Sequence, residues 1–253
     1  MTDSSEACVF VTGATSGFGE ATARRFAAEG GRVIIAGRRA DRLRALADEL
    51  GAKAHAVTLD VRDREAVFRE IENLPTEFAE ITILVNNAGL AVGLEPAHRV
   101  DIEDWETMVD TNVKGLMYCT RAVLPGMVAR DRGHIINLGS VAGTYPYPGG
   151  NVYGGTKAFV HQFSLDLRAD LLGYNVRVTC IEPGLCETEF SLVRFKGDVQ
   201  KARAIYEGVQ PITAADVAET IHFVATLPPH VNVNSLELMA TMQAFAPFAI
   251  KRS

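Results

Sequence analysis

The sequence predicts an α/β fold: a single domain, residues 1–253, in which a doubly wound parallel sheet carries helices on both faces. Short apolar runs of strand length alternate with segments of helical periodicity. A glycine-rich turn joins the first of these strands to the first helix. Strands that alternate with helices pair in parallel through right-handed crossovers. The length of 253 residues suits one large domain of this kind.

The composition indicates a soluble, cytoplasmic protein whose partner is a small molecule. The formal net charge of −6 disfavours nucleic acid or an anionic membrane surface as the partner. The polar, acidic N-terminus does not resemble a signal peptide, and no apolar run approaches the roughly 20 residues of a membrane span. The four cysteines form neither a C-x-x-C pair nor a zinc spacing, so we assign no metal site.

The first strand and helix enclose a candidate phosphate loop. The apolar run Ala7–Thr12 predicts a buried strand, and the helical pattern Glu20–Glu29 follows a G-x-x-x-G-x-G turn. Glycines let the backbone approach a pyrophosphate, while the helix N-terminus offers N–H donors. A glycine cluster alone is a weak signal, but the strand–turn–helix context supports it. The loop residues assigned to a dinucleotide are Gly13, Thr15, Ser16, Gly17, Phe18 and Gly19.

The second strand, Arg32–Ala36, leads to two arginines that indicate which dinucleotide binds. A site for a free ribose 2′-hydroxyl places an Asp or Glu about 20 residues after the glycine loop. Arg38 and Arg39 stand there instead, and guanidinium groups suit a 2′-phosphate. The alternative is that they merely begin the solvated helix Asp41–Leu50. We predict NADP(H), bound by at least one of these arginines.

Polar residues follow the next three strands. The strand Ala54–Leu59 ends at Asp60-Val61, and Thr82–Val85 ends at Asn86-Asn87-Ala88-Gly89. The helix Arg64–Asn73 connects them, and Ile135–Leu138 leads to Ser140. Ligands on a parallel sheet bind beyond the carboxyl ends of its strands. We therefore favour site roles over loop roles for these polar residues.

The remaining elements complete the predicted sheet and its covering helices. A long helix, Trp105–Ala129, carries Asn112 between apolar positions, where a local hydrogen bond to the backbone would also explain it. The strand Val176–Ile181 follows. Thr213 is a plausible N-cap for the helix Ala214–Thr226, and Asn234–Met239 is the last strand.

A tyrosine and a lysine one helical turn apart form the candidate catalytic pair. Tyr153 and Lys157 begin the predicted helix Tyr153–Leu172, on which residues i and i+4 share a face. A tyrosine is a useful acid or base near neutral pH only if its pKa falls well below about 10, and a nearby ammonium lowers it. Such a pair also arises by chance on solvated helices. The upstream Ser140 and the phosphate loop favour catalysis.

Together these motifs resemble the short-chain dehydrogenase/reductase family over nearly the whole chain. The matching residues are Thr12-Gly13-x-x-x-Gly17-x-Gly19, Asn86-Asn87-Ala88-Gly89, Asn112, Ser140, Tyr153-x-x-x-Lys157 and Pro183-Gly184. The resemblance implies a Rossmann-type sheet of about seven parallel strands. It also implies hydride transfer between a nicotinamide and a carbonyl or alcohol. The family's usual dimers and tetramers imply a homo-oligomer built on the long helices around Asn112 and Tyr153.

The resemblance further implies a role for each motif residue. Tyr153 would be the general acid/base, and Lys157 would lower its pKa and hydrogen-bond the nicotinamide ribose. Ser140 would hold the substrate oxygen, and Asn112 would carry a water that links Lys157 to solvent. Thr188 matches the position that hydrogen-bonds the nicotinamide carboxamide. The other residues implied to contact the cofactor are Asp60, Val61, Asn87, Ala88, Gly89, Pro183 and Gly184.

Four further segments narrow the resemblance to NADP-dependent 3-hydroxy acid dehydrogenases. These segments are 95–98, 104–108, 149–153 and 193–198. That group acts on serine, L-allo-threonine and 3-hydroxy acids, and reduces malonic semialdehyde. Sulfoacetaldehyde reductases, which form isethionate, are similar along their whole length, so that activity stays an alternative. A non-catalytic NADP-binding sensor or scaffold is a third alternative, although the complete set of Asn112, Ser140, Tyr153 and Lys157 disfavours it.

Both substrate classes are small anions, which require a cationic partner. The segment 185–211 lies where the family places a substrate lid, and it contains Arg194 and Lys196. Arginine binds a carboxylate or sulfonate through two parallel hydrogen bonds. We assign the anion to Arg194, with Lys196 as the alternative. The opposing interpretation is that both are solvated lid charges. The apolar tail, 240–253, is expected to pack on a neighbouring subunit.

Overall fold

The computed structural model describes residues 5–245 and confirms the α/β fold with seven parallel strands. The strands are β1 (Cys8–Thr12), β2 (Arg32–Gly37), β3 (Ala54–Thr58), β4 (Ile83–Asn86), β5 (Gly133–Leu138), β6 (Val176–Pro183) and β7 (Ser235–Leu238). They form one sheet in the order β3-β2-β1-β4-β5-β6-β7, and every pairing is parallel. Each predicted strand lies within about two residues of its observed bounds.

Helices cover both faces of the sheet. They are α1 (Gly17–Ala28), α2 (Ala40–Leu50), α3 (Arg64–Glu72), α4 (Ile102–Val109), α5 (Leu116–Ala129), α6 (Asn151–Asp170), α7 (Phe190–Arg194), α8 (Val199–Ala204) and α9 (Ala214–Thr226). In the described part of the chain, none is both long and apolar enough to cross a lipid bilayer.

The strands are apolar on both sides because each face of the sheet has its own core. In β1, Val9 and Val11 pack into the core beneath α1, α2 and α9. Cys8 and Phe10, which alternate with them, pack into the core beneath α3 and α5. Successive side chains of a strand point to opposite faces, so a strand covered on both faces is a continuous apolar run.

The helix predicted as Trp105–Ala129 is longer and less regular in the structure than the sequence indicated. The helical path begins at Ile102 and contains a π-helical segment, Asp110–Gly115, between α4 and α5. A π-segment accommodates an extra residue and widens the helix locally, and such segments are frequent at functional sites. Asn112 lies in this segment and is buried. The apolar periodicity on either side conceals the irregularity, so the sequence predicted one uniform helix.

The order of the strands creates the place where a ligand can bind. The chain moves outward from β1 to β2 and β3, then returns to the other side of β1 to form β4. The connection that leaves β1 runs towards one edge of the sheet, and the connection that leaves β4 runs towards the other edge. A crevice opens at such a switch point, beyond the carboxyl ends of the strands.

The N-terminus of α9 offers a test of local stability. Thr213 caps this helix as predicted, and the structure adds a reciprocal bond: Thr213 Oγ1 accepts from the Asp216 N–H at 3.2 Å, while Asp216 Oδ2 accepts from the Thr213 N–H at 2.8 Å. We expect Thr213→Ala to lower the free energy of unfolding by about 1 kcal/mol because the capped N–H loses its acceptor. Urea denaturation at fixed protein concentration measures the change. Thr213→Ser, which keeps the hydroxyl, is the control; equal stability of the two variants would contradict this role.

Candidate active site

The carboxyl ends of the central strands open into one cleft of about 580 Å³. Nearly every residue to which the sequence assigned a role lines it. Those residues are Gly13, Thr15, Ser16, Gly17, Phe18, Arg38, Arg39, Asp60, Val61, Asn87, Ala88, Gly89, Ser140, Tyr153, Lys157, Pro183, Gly184, Thr188 and Arg194. Gly19 and Asn112 are buried and do not line the cleft.

The glycines of the loop serve two different purposes. Gly13 has a φ of +67°, which L side chains rarely adopt, and a Cβ there would lie 3.0 Å from the Ala88 Cα. Gly19 is required by packing, because a Cβ at this position would lie 2.5 Å from both the Asn87 Nδ2 and the Gly13 carbonyl oxygen. The Asn87 amide donates to the Thr12 carbonyl at 2.8 Å and so ties the end of β4 to the loop. Gly19 therefore supports the loop from behind.

The start of α1 has the features of an anion site. Within the described residues, the Ser16 side chain makes no capping hydrogen bond to the helix that it precedes. The first N–H groups of a helix lack intrahelical partners, and the helix dipole is positive at this end. Gly17 and Phe18, the first two residues of α1, line the cleft. This geometry fits a pyrophosphate.

The structure separates the two arginines that the sequence treated as a pair. The Arg39 guanidinium donates to Thr15 Oγ1 at 3.0 and 2.8 Å, to Ser16 Oγ at 2.8 Å and to Glu189 Oε2 at 2.8 Å. Arg38 is exposed at the cleft and makes no hydrogen bond or ion pair with the described part of the chain. Its guanidinium donors therefore remain available to a phosphate.

The carboxylate at the end of β3 is already partnered. Asp60 accepts from the Arg62 guanidinium at 2.6 and 3.0 Å, and this hydrogen bonding holds its pKa below the ordinary value. Arg38 adds a smaller effect in the same direction. Asp60 is consequently ionised at the rim of the cleft, on the side where Arg38 lies.

The candidate catalytic side chains meet where α6 begins and β5 ends. Tyr153 is 7% exposed, and the hydroxyl of Ser140, two residues after the end of β5, is close enough to favour a lower Tyr153 pKa. Ser140 Oγ also lies 3.5 Å from the Pro183 carbonyl and 3.1 Å from the Ala142 N–H. Lys157 Nζ lies 5.9 Å from the Tyr153 ring centroid and donates to the Leu138 carbonyl at 2.7 Å. The tyrosine–lysine pair of the sequence is thus a buried cluster.

The electrostatics of this cluster differ from the sequence expectation. We expected Lys157 to lower the Tyr153 pKa. Instead, burial raises that pKa to about 12, and the Ser140 hydroxyl and the Arg194 charge only partly oppose it. Burial also lowers the Lys157 pKa to about 8. The expectation considered only the neighbouring charge, whereas removal of both groups from water favours their neutral forms.

Asn112 connects the loop after β4 to α6. Its Nδ2 donates to the Leu90 carbonyl at 2.8 Å and to Thr156 Oγ1 at 3.0 Å, while its Oδ1 accepts from the Leu90 N–H at 2.8 Å. Thr156 directly precedes Lys157. The buried amide therefore fixes the strand-end loop against the helix turn that carries the lysine.

A cation among aromatic rings forms the inner wall of the cleft. Arg194 Cζ lies 5.0, 5.1 and 5.8 Å from the ring centroids of Phe190, Tyr153 and Tyr147. Its Nη2 donates to the Tyr147 hydroxyl at 3.1 Å, and its buried Nε has no hydrogen-bond partner among residues 5–245. Lys196 instead forms an ion pair with Asp104 at 2.8 Å and does not line the cleft.

The sequence missed Tyr147 and Phe190. Tyr147 lies in a loop rich in glycine, proline and tyrosine, for which we predicted no role. Phe190 begins the five-residue helix α7, and its ring lies 5.6 Å from that of Tyr153. A helix of five residues is too short to show a period, and an aromatic residue in a loop carries no specific signal. Only their contacts with Arg194 and Tyr153 reveal them.

The segment proposed as a lid leaves and rejoins the body at one point. Cys186 and Ile212 form an isolated parallel bridge, supported by a 3.1 Å bond from the Glu187 N–H to the Ile212 carbonyl. Helices α7 and α8 lie between them. Cys186 lines the cleft, and burial raises its pKa to about 12, which fits packing and not a reactive thiol. A lid role for the segment stays a prediction.

Three potential metal ligands lie together where α6 packs on β6. His161, Cys180 and Glu182 have donor atoms within 4.8 Å of one another. They come from α6 and β6, so their separation in the sequence gave no signal. His161 Nδ1 is 3.1 Å from Glu182 Oε1, and Glu182 Oε2 accepts from Ser235 at 2.5 Å. Burial raises the Cys180 pKa to about 12. The carboxylate is therefore used in holding α6, β6 and β7 together.

The chain is similar to dehydrogenases along almost its entire length. It is 60% identical over 246 residues to the NADP-dependent 3-hydroxy acid dehydrogenase of Salmonella typhi, covering 97% of this chain and 99% of that one. It is 57% identical over 244 residues to serine 3-dehydrogenase of Rhizobium radiobacter, covering 96% and 98%. The structure superposes with a TM-score of 0.96 on the closed form of a serine dehydrogenase complexed with NADP⁺, at 58% identity and with 97% and 99% covered.

The family signature extends over most of the fold described above. The model of the short chain dehydrogenase family matches residues 7–198, from β1 to the residue that precedes α8. This match includes the glycine loop, the strand ends and the buried tyrosine–lysine cluster. The chain belongs to the short chain dehydrogenase family.

Proposed function

We propose that this chain is an NADP-dependent dehydrogenase of small anionic 3-hydroxy acids or hydroxy amino acids and of the corresponding semialdehydes. The observation that carries the proposal is the position of the Arg194 guanidinium, 5.1 Å from the Tyr153 ring, with a buried Nε lacking a partner among the described residues. An anion on Arg194 and a carbonyl at Tyr153 must belong to one small molecule. The names of the two relatives, which specify 3-hydroxy acids and serine, support this substrate class.

The cleft fits NADP(H) at three points. Gly13, Gly17 and the uncapped start of α1 would hold the pyrophosphate. Arg38, which has no partner in the described part of the chain, would bind the 2′-phosphate. Lys157 and Thr188 would contact the nicotinamide half. The bound cofactor supplies the hydride, and the protein supplies its position.

The side chains at the inner end of the cleft would transfer a proton to or from the substrate oxygen. A Tyr153 pKa of about 12 keeps the phenol protonated at neutral pH, which is the form that donates to a carbonyl oxygen as the carbon is reduced. Ser140 would orient that oxygen with its hydroxyl. In the oxidation direction the same oxygen returns its proton to the Tyr153 phenolate, which the positive Arg194 guanidinium favours.

We further propose that 185–211 is a substrate lid and that the described arrangement is its closed state. The superposition on a relative in its closed form supports this. Helix α7 also lies over the reacting group, because Phe190 packs against Tyr153. The end of α7 is held by a 2.9 Å bond from the Gly93 N–H to the Arg194 carbonyl. A closed lid would exclude water from the proton transfer.

The assignment of Arg194 as the partner of the substrate anion is tested by Arg194→Met. This variant keeps much of the apolar stem of the side chain and removes the guanidinium group. We expect the KM for malonic semialdehyde to rise by about 10- to 100-fold, since charged hydrogen bonds are worth about 1.5–3 kcal/mol. Initial rates of NADPH oxidation provide the measurement, and Lys196→Met is the matched control. An unchanged KM in the Arg194 variant would remove the assignment. Sulfoacetaldehyde, assayed in parallel, tests whether a sulfonate is preferred.

The proton role is tested by pH profiles. The reacting phenolate fraction grows with pH below the Tyr153 pKa, so kcat/KM for serine oxidation should rise from pH 7 to pH 9, while that for reduction should not rise. Tyr153→Phe should lower kcat at least 100-fold in both directions. NADPH binding, followed by fluorescence, should be nearly intact in that variant. An oxidation rate that falls with pH would contradict the proposed proton donor.

We also propose a homo-oligomer, assembled through the helices around Asn112 and Tyr153 and through the C-terminal tail. Exposed apolar side chains support it: Ile102 on α4 is 60% exposed, and Met242 and Phe245 are 62% and 61% exposed. The predicted tail residues Pro247, Phe248 and Ile250 lie outside the described residues. We expect light scattering coupled to size exclusion to give a dimer or tetramer mass. A monomer mass at micromolar concentration would refute the assembly.

A further inference from the structure

A carboxylate at the start of the lid joins the two halves of the cleft. Glu189 immediately precedes α7, and Arg194 ends the same helix. Glu189 Oε2 accepts from Arg39 Nη1 at 2.8 Å, and Glu189 Oε1 accepts from Arg42 Nη1 at 2.7 Å. Each carboxylate oxygen thus binds one guanidinium from the segment that follows β2. These contacts join residues about 150 positions apart in the sequence, so no local sequence pattern predicts them.

The same arginines are bound to the phosphate loop. Arg39 donates to the Thr15 and Ser16 hydroxyls, and Arg42 Nη1 lies 3.4 Å from the Thr15 carbonyl. A Cβ at Gly17 would lie 3.3 Å from the Thr188 Cβ, so the base of the lid lies close to the loop. Glu189 therefore completes a chain of contacts from the loop, through two guanidinium groups, to α7.

The charge and exposure of Glu189, Arg39 and Arg42 fit a contact that forms and breaks repeatedly. Burial alone would raise the Glu189 pKa, but hydrogen bonds from Arg39 and Arg42 hold it below the ordinary value. The carboxylate is ionised at neutral pH. The three side chains are 39–44% exposed, so each pair contributes little and can open and reform. Bonds that open readily are suited to a part that must move in each cycle.

We propose that Glu189 is a positioning residue that latches α7 to the phosphate loop through Arg39 and Arg42. This inference rests on the proposed function. The latch retains NADP(H) under the closed lid and, through the short helix α7, holds Arg194 in place for the substrate anion. Glu189 is not aimed at the reacting atoms, so it affects residence and affinity more than the chemical step.

Two neighbouring residues make the proposal testable. Glu187 lies two positions earlier, is exposed, and forms no ion pair within residues 5–245, so it carries the same charge without the bridge. Arg42 does not line the cleft, yet it supplies half of the bridge. Glu187→Gln is therefore the matched control, and Arg42→Gln weakens the latch from outside the cofactor site.

The experiment measures dissociation of NADPH, and separately of NADH, by stopped-flow fluorescence without substrate. We expect Glu189→Gln to speed release of both cofactors by about threefold to tenfold, the range expected for loss of two partly exposed ion pairs. Arg42→Gln should act in the same direction with a smaller effect. The double variant should be no faster than Glu189→Gln, because the two changes remove one bridge. Glu187→Gln should release both cofactors at the original rate.

A kinetic signature separates positioning from general damage. We expect Glu189→Gln to raise the KM for malonic semialdehyde and to change the single-turnover hydride rate at saturation less than twofold. Slower NADPH release, or an effect confined to NADPH, would show that the carboxylate acts on the 2′-phosphate and would overturn the latch. Unchanged release with normal NADPH binding by the unmodified protein would also overturn it. Failure of the unmodified protein to bind NADPH would overturn the proposed function itself, and the latch with it.

Discussion

The site depends on a lysine ammonium held in the interior. Lys157 is 6% exposed, and no carboxylate among the described residues pairs with it. Its hydrogen bond to the Leu138 carbonyl at 2.7 Å offsets part of the cost of burial and joins α6 to the end of β5. Tyr153 on α6 and Ser140, two residues beyond β5, are thereby brought together. The Asn112 amide fixes the adjoining turn of α6 from the other side.

Positive charge is concentrated in the cleft although the chain as a whole carries −6. Arg38 and Arg39 lie towards β2, Lys157 lies at the centre, and Arg194 lies at the inner wall. A small anion and a phosphorylated cofactor would both be attracted to this region against the general field of the protein. The proposed function and the proposed latch use this arrangement differently: Arg38 is free for a ligand, whereas Arg39 is already engaged by the lid.

The fold could be predicted because it rests on local and periodic signals. Apolar runs gave all seven strands, and the glycine turn, the strand-end polar residues and the tyrosine–lysine spacing gave most of the cleft lining. The features that the sequence did not predict depend on contacts between residues far apart in the chain or on the burial of a side chain. The sign of the Tyr153 pKa shift follows from burial, the separate states of Arg38 and Arg39 follow from Glu189, and the place of Tyr147 follows from Arg194. None of these contacts joins neighbours in the chain.

The π-segment at Asp110–Gly115 keeps α4 and α5 in register although it holds an extra residue. Each residue turns an α-helix by about 100°, so an extra residue in a regular helix would rotate everything that follows it. The wider turn absorbs this rotation, and Cys119, Val123 and Met127 of α5 still face the core. Loss of one residue from the segment would therefore leave a regular helix whose two ends keep their packing. The identity of Asn112 is less free to change than the length of the segment, because its buried amide bonds both Leu90 and Thr156.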